Sequence, residues 1–364
     1  MTRESITLNL GPHHPSTHGV LRVVLELDGE VVLAAKPDVG FLHRGIEKLS
    51  EHRTYQQILV LTDRLDYLAA MSNNFAYVLA VEKLLEIEVP KRTQYIRVAL
   101  VELQRIASHL FWLGTHAHDL GAMTPLFYML REREDIMDIF DGIAGSRLTP
   151  SFMRFGGLAA DADPDFVKKT KKLLDGFSEK VDDYERLLTE NPMWKLRTQG
   201  VGMISTEEAL NTGISGPMAR ATGLSWDLRK SNPYSSYGDF DFEIPTGIQG
   251  DVYDCYRVRV KEMRESAKIV GQAIDGLPED DGSPINAKVA KFPEGEVYHS
   301  IESPRGELGF YIVSAGGKSP LRLRVRPPSF VNLQGLNKMV KGRLLSDAVA
   351  IIGMIDIVLA EVDR

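Results

Sequence analysis

The sequence predicts an α+β protein in which a body of long helices carries a small antiparallel β-sheet near each end of the chain. Three observations predict this fold. Apolar and polar residues alternate in the first forty positions, apolar residues recur at helical spacing through the middle, and alternation returns after residue 295. We expect residues 1–40 to form the N-terminal sheet, residues 41–277 a helical bundle and residues 278–364 a C-terminal sheet with short helices, packed as one large unit.

The N-terminal sheet is predicted from strand patterns at residues 5–10, 20–27 and 31–33. Between the first two lies a segment, residues 11–19 (GPHHPSTHG), that holds three of the nine histidines and is called the histidine loop below. Its two prolines fix the backbone and remove amide donors, so the segment is predicted to be a stiff loop and not an α-helix. Loops carry function more often than core elements do, although an exposed polar turn would show the same residues.

The helical body is predicted from apolar residues that lie three or four positions apart. Five helices follow from this spacing, at about residues 75–89, 93–119, 125–142, 164–190 and 251–274. Thr124-Pro125 and Asp163-Pro164 are the strongest start signals, because proline is favoured at the first helical position after a capping residue. Residues 192–250 are rich in Gly, Pro, Ser and Tyr and are predicted to form an ordered connecting region.

The C-terminal part is predicted to form the second sheet. Strand patterns lie at residues 296–301, 309–314 and 321–325, after a loop at 278–295, and two short helices are expected to end the chain. Glycine-rich segments in this region are predicted to be strand ends and turns. They do not match a P-loop or a dinucleotide-binding glycine motif, and the sequence contains neither.

The composition argues against several classes of function. Apolar residues make up 43% and charged residues 26%, and the net charge of −7 comes without a basic block, so no nucleic acid partner is expected. The one cysteine, Cys255, rules out a disulfide within the chain and leaves no cysteine set for a metal or an iron–sulfur cluster. No apolar run approaches the roughly 20 residues of a membrane helix, so we expect a cytoplasmic protein that reaches a membrane only through partners.

Histidines are the first candidates for chemistry. His13, His14 and His18 lie in the histidine loop, and His116 and His118 lie at the end of the second predicted helix. A zinc site is possible, but the two-residue spacing of the second pair does not place both side chains on one helix face. A metal site is therefore disfavoured.

Acidic residues and a tyrosine form the second candidate group. Residues 62–67 (TDRLDY) are predicted at the head of a helix, and Asp119 follows the second histidine pair. Acidic residues also cap helices and tyrosines also fill interfaces, so the spacing alone leaves a structural role open. The sequence contains no serine elbow and no recognisable cysteine–histidine pair, which argues against a self-contained enzyme.

Five segments taken together resemble one family: residues 11–22, 40–48, 63–67, 302–309 and 328–333. The family is the quinone-site subunit of respiratory complex I, which is the 49 kDa or D-type subunit of NADH:quinone oxidoreductase, and the resemblance runs nearly end to end. It implies a fold like that of the [NiFe]-hydrogenase large subunit, to which the family is similar. It also implies a subunit, inactive alone, of a proton-translocating complex that passes electrons from NADH or another donor to quinone.

The resemblance implies a quinone-headgroup site formed by His18 and Tyr67, with Asp119 paired to the loop histidine. These three are the expected catalytic residues, and His13 and His14 are expected to shape the loop. A phenol and an imidazole can each donate a hydrogen bond to a quinone carbonyl and can supply or polarise protons during reduction. An acidic partner would fix the tautomer of the histidine and raise its pKa.

The resemblance also implies an electron donor and further partners. The family's donor is the [4Fe–4S] cluster of a small neighbouring subunit, and Arg44 and Arg64 match arginines close to that cluster, where positive charge stabilises the reduced state. Thr149 stands where family members often carry a histidine, so the cluster potential is expected to depend weakly on pH. Other implied partners are the 30 kDa-type peripheral subunit and the membrane-arm subunits, which would hold the chain on the cytoplasmic side of the membrane. The short 278–295 loop, where many relatives carry a helix, leaves one peripheral contact open.

Two other functions are alternatives. [NiFe] hydrogenases bind their metals with two Cys-x-x-Cys pairs, and the matching positions here are Asp66, Ala69, Val358 and Glu361. None of them is cysteine, and thiolate is the soft ligand that such a site requires, so no metal is expected. A structural scaffold with an inactive quinone site is the other alternative, and the presence of all three expected catalytic residues argues against it.

Overall fold

The structure, a computed structural model, describes residues 5–280, 282, 286–287, 289 and 291–364. It begins with a sheet of three antiparallel strands in the order β1-β2-β3, as predicted. The strands are β1 (Ile6–Leu10), β2 (Arg22–Asp28) and β3 (Val31–Asp38). The third strand is longer than predicted and continues through Pro37. The histidine loop connects β1 to β2.

The first helices confirm the predicted body. They are α1 (Ile46–Ser50), α2 (Tyr55–Thr62), α3 (Ala70–Leu85), α4 (Lys91–Asp119) and α5 (Met123–Ala144). The predicted cap at Thr124 is wrong, because α5 begins one residue earlier and Ala122, its N-cap, makes no capping side-chain hydrogen bond. A two-stranded hairpin of β4 (Met153–Arg154) and β5 (Gly157–Leu158) follows.

The helix predicted at residues 164–190 is two helices, α6 (Pro164–Leu174) and α7 (Phe177–Leu188). The single-helix prediction is wrong because Gly176 adopts φ 74°, a left-handed conformation that interrupts the helix. The predicted start is confirmed, since the Asp163 carboxylate accepts a hydrogen bond from the Phe166 amide.

Short helices and then one long helix follow. They are α8 (Pro192–Thr198), α9 (Thr206–Thr212), α10 (Gly216–Ala221), α11 (Leu228–Ser231) and α12 (Val252–Asp275). The long helix confirms the last predicted one, and the Asp251 carboxylate caps it by accepting a hydrogen bond from the Asp254 amide.

The second sheet is antiparallel, as predicted, in the order β6-β7-β8. Its strands are β6 (Glu294–Ser303), β7 (Gly306–Ala315) and β8 (Arg322–Arg326). The prediction of two final helices is wrong, since residues 327–364 contain four: α13 (Pro328–Asn332), α14 (Leu336–Val340), α15 (Leu345–Ile355) and α16 (Leu359–Asp363).

The two ends of the chain share a core. One large apolar cluster joins the long helices to the C-terminal sheet, and a second joins the N-terminal sheet to the helices after residue 332. The Val32 amide donates a hydrogen bond to the Arg343 carbonyl at 2.8 Å, and α15 packs against the short 3₁₀ turn inside the histidine loop. The histidine loop is therefore held against the C-terminal helices.

Buried ion pairs hold the turn between β6 and β7. Arg105 of α4 donates to the Ser303 carbonyl at 2.9 Å and to the Glu302 carbonyl at 2.6 Å. The Glu302 carboxylate also pairs with Arg220 at 2.7 Å. Buried ionic groups that are fully paired fix a backbone position firmly, because any displacement leaves a charge unpaired. The turn held in this way carries Arg305.

Candidate functional site

The histidine loop adopts a backbone that few residues other than glycine allow. Gly11 has φ 83°, and a Cβ atom there would lie 2.0 Å from the Leu21 carbonyl oxygen. The buried Thr17 hydroxyl donates to the His14 carbonyl at 2.8 Å and holds the turn. His18 itself has φ 53°, an uncommon conformation for a residue with a side chain, of a kind that clusters at functional sites.

His18 is a partly buried side chain that is neutral at neutral pH. Its Nε2 atom is buried and has no hydrogen-bond partner among the described residues. Burial, followed by the charge of Arg305, lowers the pKa of His18 to about 4. The expectation of a raised pKa is therefore wrong in this arrangement, because burial disfavours the charged imidazole and the charge that acts on it is a guanidinium and not a carboxylate.

Tyr67 lies on the segment between α2 and α3 and is 44% exposed, so its phenol can be reached from outside this chain. Burial of the phenol, followed by the charge of Asp66, raises the pKa of Tyr67, and Arg305 opposes the shift. Tyr67 is therefore a protonated phenol at neutral pH that can donate a hydrogen bond. The charge of Arg305 therefore acts on both Tyr67 and His18.

Arg305 is the centre of a buried charged cluster. Its side chain is 1% exposed, and its Nη1 atom lies 2.5 Å from Asp66 Oδ2. Its Nη2 atom lies 3.3 Å from Asp356 Oδ1, and its Nε atom donates to the Asp356 carbonyl at 2.9 Å. Asp66 is further held by the amides of Leu68 and Ala69, at 2.9 and 3.2 Å. The arginine thus joins the segment before α3 to the end of α15.

A third carboxyl group lies beside this cluster. Glu361 of α16 is fully buried, and Asp66 and Arg305 are the charges that act on it most strongly. Its Oε2 atom accepts from the Ser329 amide at 3.3 Å, while Oε1 has no hydrogen-bond partner among the described residues. Burial, followed by the charge of Asp66, raises the pKa of Glu361 to about 8. We call Asp66, Arg305, Asp356 and Glu361 the Arg305 cluster.

The Arg305 cluster includes two of the positions that match the metal ligands of [NiFe] hydrogenases. These are Asp66 and Glu361, and Val358, a third such position, packs in a small apolar cluster with Leu68. Sequence reasoning missed Arg305 and Asp356 as site residues. Arg305 could have been singled out, because it lies within segment 302–309, which carries part of the resemblance. Nothing in the sequence showed that this segment contacts Asp66.

Asp119 lies apart from His18 in this arrangement. Among the described residues, no hydrogen bond or ion pair joins these two side chains. Burial raises the pKa of Asp119, and the histidines that oppose the shift are His118 and His14. The loop charge that acts on Asp119 is therefore that of His14 and not that of His18.

Arg44 and Arg64 contact each other at the surface. Arg44 Nη2 donates to the Arg64 carbonyl at 2.6 Å and to the Ala360 carbonyl at 3.1 Å. Arg64 is exposed and pairs with Asp63 at 3.5 Å.

Thr149 lies in a bend beyond the end of α5. Part of the 278–295 loop lies outside the described residues.

The described residues contain no group of three or more His, Cys, Asp or Glu side chains arranged to hold a metal ion. His116, one of the candidate ligands, is buried between Trp112, on which it stacks, and Trp194. No helix in the described part of the chain is long and apolar enough to cross a membrane.

Surface cavities lie away from the two candidate side chains. Five cavities of 300 to 660 Å³ lie in the part of the chain that the structure describes, and neither His18 nor Tyr67 lines any of them. The one of 660 Å³ lies between the ends of α3 and β6 and is lined in part by Glu82, Arg97 and His299. None of these five cavities therefore offers a headgroup-sized space at His18 and Tyr67 within this chain alone.

Comparisons with known proteins point to one family. The sequence model of a family described as respiratory-chain NADH dehydrogenase, 49 Kd subunit, matches residues 119–292 and 284–364. The D-type subunit of NADH-quinone oxidoreductase from Geotalea uraniireducens is 52% identical over 386 residues, which cover 99% of each chain. A D-type subunit of the same oxidoreductase from Solibacter usitatus is 55% identical over 362 residues, covering 99% of this chain and 97% of the relative.

Proposed function

The chain belongs to the family of the 49 kDa subunit of respiratory-chain NADH dehydrogenase, that is, the D-type subunit of NADH-quinone oxidoreductase, and we propose that it binds the quinone headgroup at His18 and Tyr67. In this proposal the chain is part of an oxidoreductase complex and is inactive alone. The electrons arrive from a [4Fe–4S] cluster held by a neighbouring small subunit, and the quinone accepts them beside the Arg305 cluster.

The observation that carries the proposal is that one buried guanidinium, Arg305, acts on both His18 and Tyr67 and forms an ion pair with Asp66, the residue before Tyr67. The two side chains come from segments about fifty positions apart, yet the charge of this one buried guanidinium acts to lower the pKa of both. A quinone has two carbonyl oxygens that accept hydrogen bonds, and this pair offers one imidazole and one phenol. The buried Nε2 atom of His18 lacks a partner among the described residues, and buried polar atoms normally have one, so a ligand oxygen would satisfy it.

The protonation states define what each group does in this proposal. His18 is neutral at neutral pH, so it acts as a hydrogen-bonding group and not as an imidazolium acid. Tyr67 carries its phenolic proton and can donate it to a reduced oxygen. A negative charge that develops on the quinone during reduction would raise the pKa of a neighbouring imidazole, so His18 gains proton affinity only when electrons arrive.

Asp119 keeps an indirect role in the proposal. It lies next to His14 and His118 at the edge of the histidine loop, and a movement of the loop would be needed to pair it with His18. Loops that close over a substrate often bring such partners together only in the bound state. We propose that the expected pairing of Asp119 with His18 forms when quinone is bound.

Partners complete the site in this proposal. Tyr67 is 44% exposed, and the surface pair of Arg44 and Arg64 offers positive charge to a neighbouring [4Fe–4S] cluster. The cluster-bearing small subunit and the membrane-arm subunits would close the space around the headgroup, with the 30 kDa-type subunit packed further out. The chain would then be peripheral, on the cytoplasmic side of the cell membrane.

Substitution of Tyr67→Phe in the assembled complex tests the proposal. Loss of the phenolic donor is expected to lower quinone reductase activity by about 10²-fold, as for removal of a general acid. Electron transfer from NADH to an artificial acceptor upstream of the quinone serves as the control and should stay unchanged. An unchanged quinone reductase rate would favour a structural scaffold, and stoichiometric nickel in the purified complex would favour the hydrogenase alternative.

A further inference from the structure

Three buried carboxyl groups share one arginine in the Arg305 cluster. Asp66, Asp356 and Glu361 are at most 3% exposed. Arg305 forms ion pairs with the first two, at 2.5 and 3.3 Å, and these two pairs use both terminal nitrogens of the guanidinium. The cluster therefore has more carboxyl groups than its one guanidinium can neutralise.

Glu361 is the member of the three that forms no ion pair with the described residues. Its hydrogen-bond partner is Ser329, and no Lys, Arg or His nitrogen in the described ranges lies within 4.0 Å of its oxygens. An ionised carboxylate that is buried and unpaired costs several kcal/mol, so such a group takes up a proton instead. The unpartnered Oε1 atom is where this proton can reside without losing any existing contact.

The charges that face Glu361 come from every element packed against it. The negative charge of Asp66, from the segment before α3, favours the protonated form. Arg305 from the β6–β7 turn and Arg364 after α16 oppose it. Arg364 also forms an ion pair with Glu47, with 3.6 Å between Arg364 Nε and Glu47 Oε1. Burial has the largest effect on Glu361 and favours the protonated form, so its pKa is raised to about 8.

We propose that Glu361 is a protonated carboxylic acid that supplies one of the two protons consumed when quinone is reduced beside Tyr67. This inference rests on the proposed function. His18 is neutral and cannot act as an imidazolium acid at rest, so a second protonated group is needed behind the phenol. Glu361 interacts with the charge of Asp66, which directly precedes Tyr67 in the chain. It is a positioning and proton-holding residue that acts through Tyr67.

The proposed step balances in protons and electrons. Quinone takes up two electrons from the iron–sulfur cluster of the neighbouring subunit and two protons, and forms quinol. One proton leaves the Glu361 O–H bond as the Tyr67 phenol gives its own proton to a quinone oxygen, and the phenol is restored by the proton from Glu361. The second proton comes from solvent. Glu361 is left as a carboxylate and is protonated again from solvent before the next turnover.

The pH dependence of quinone reduction by the assembled complex tests the inference, with NADH as donor and a short-chain benzoquinone analogue as acceptor. Above about pH 8 Glu361 loses its proton, so the wild-type rate is expected to fall on the alkaline side. Glu361→Gln should lower the rate by about tenfold or more and remove this alkaline limb, while Glu361→Asp should restore both in part. A purely structural residue would change the rate without removing the limb.

Asp63→Asn is the matched control. Burial raises the pKa of Asp63 to about 8 as well, but this carboxyl faces Arg64 and Arg154 and not the Arg305 cluster. The alkaline limb should persist in this variant. If it disappears with Asp63→Asn, or persists in Glu361→Gln, the inference is overturned.

Infrared spectroscopy covers the case in which Glu361→Gln does not assemble. Redox-difference spectra should show a protonated-carboxyl band that is lost on quinone reduction and shifts in Glu361→Asp, and an unshifted band contradicts the inference. A drop in activity with Tyr67→Phe together with an intact alkaline limb in Glu361→Gln would reject the role of Glu361 alone. Unchanged activity with Tyr67→Phe would reject the proposed function itself.

Discussion

At the scale of single residues, the electrostatics of the site depend on Arg305. It forms ion pairs with Asp66 and Asp356, and after burial it is the charge that lowers the pKa of His18, so it acts on groups from three separate segments. The sequence predicted His18 and Tyr67 through resemblance, and the charge of Arg305 acts on both. The sequence could not predict the lowered pKa of His18, because burial of the side chain causes it and Arg305, nearly three hundred positions away, adds to it.

Arg305→Met should destabilise the folded chain by about 3–5 kcal/mol, because it removes the ion-pair partner of buried Asp66 and one of the two arginines that act on buried Asp356. Arg322→Met is the matched control, since Arg322 also pairs with two carboxylates, Glu47 and Glu51, but is 44% exposed in its side chain. Its loss should cost at most about 1 kcal/mol. Chemical denaturation of the purified subunit measures both, and equal effects would contradict the central role of the Arg305 cluster.

At the scale of elements, the histidine loop and the turn between β6 and β7 are the two segments whose backbone the site requires. The loop is stiffened by prolines and by the Thr17 hydroxyl, and the turn is held by Arg105 and Arg220.

The long helices and both sheets could be predicted from apolar periodicity. The break at Gly176 could not, since the apolar stripe continues across it and only the backbone conformation of the glycine interrupts the helix.

Gly11→Ala should displace the histidine loop, because the new Cβ atom would lie 2.0 Å from the Leu21 carbonyl oxygen. A displacement of about 1 Å at His18 can lower the rate about 10²-fold, and quinone reductase activity of the complex would measure it. Gly29→Ala, in the turn between β2 and β3, is the control. Gly29 also has a positive φ, 62°, but nothing lies within 4 Å, so activity should be unchanged. Equal activity of both variants would show that the loop geometry is not required.

At the scale of the whole molecule, the proposed site draws on four separated segments. The histidine loop, the segment before α3, the β6–β7 turn and the end of the chain come together because the N-terminal sheet and the C-terminal helices share one apolar core. Resemblance to a family located the first three segments in the sequence. The fourth segment, the end of the chain, was noted in the sequence only because it lacks the cysteines of the hydrogenases. The role of its carboxyl groups depends on their burial near Arg305, and neither apolar periodicity nor composition predicts that burial.

A structure of the assembled complex with a bound quinone tests the central claim most directly. We expect the headgroup between His18 and Tyr67, with its carbonyl oxygens within hydrogen-bond distance of the imidazole and the phenol, and with walls supplied by neighbouring subunits. A headgroup that is bound elsewhere during turnover and contacts neither side chain would contradict the account.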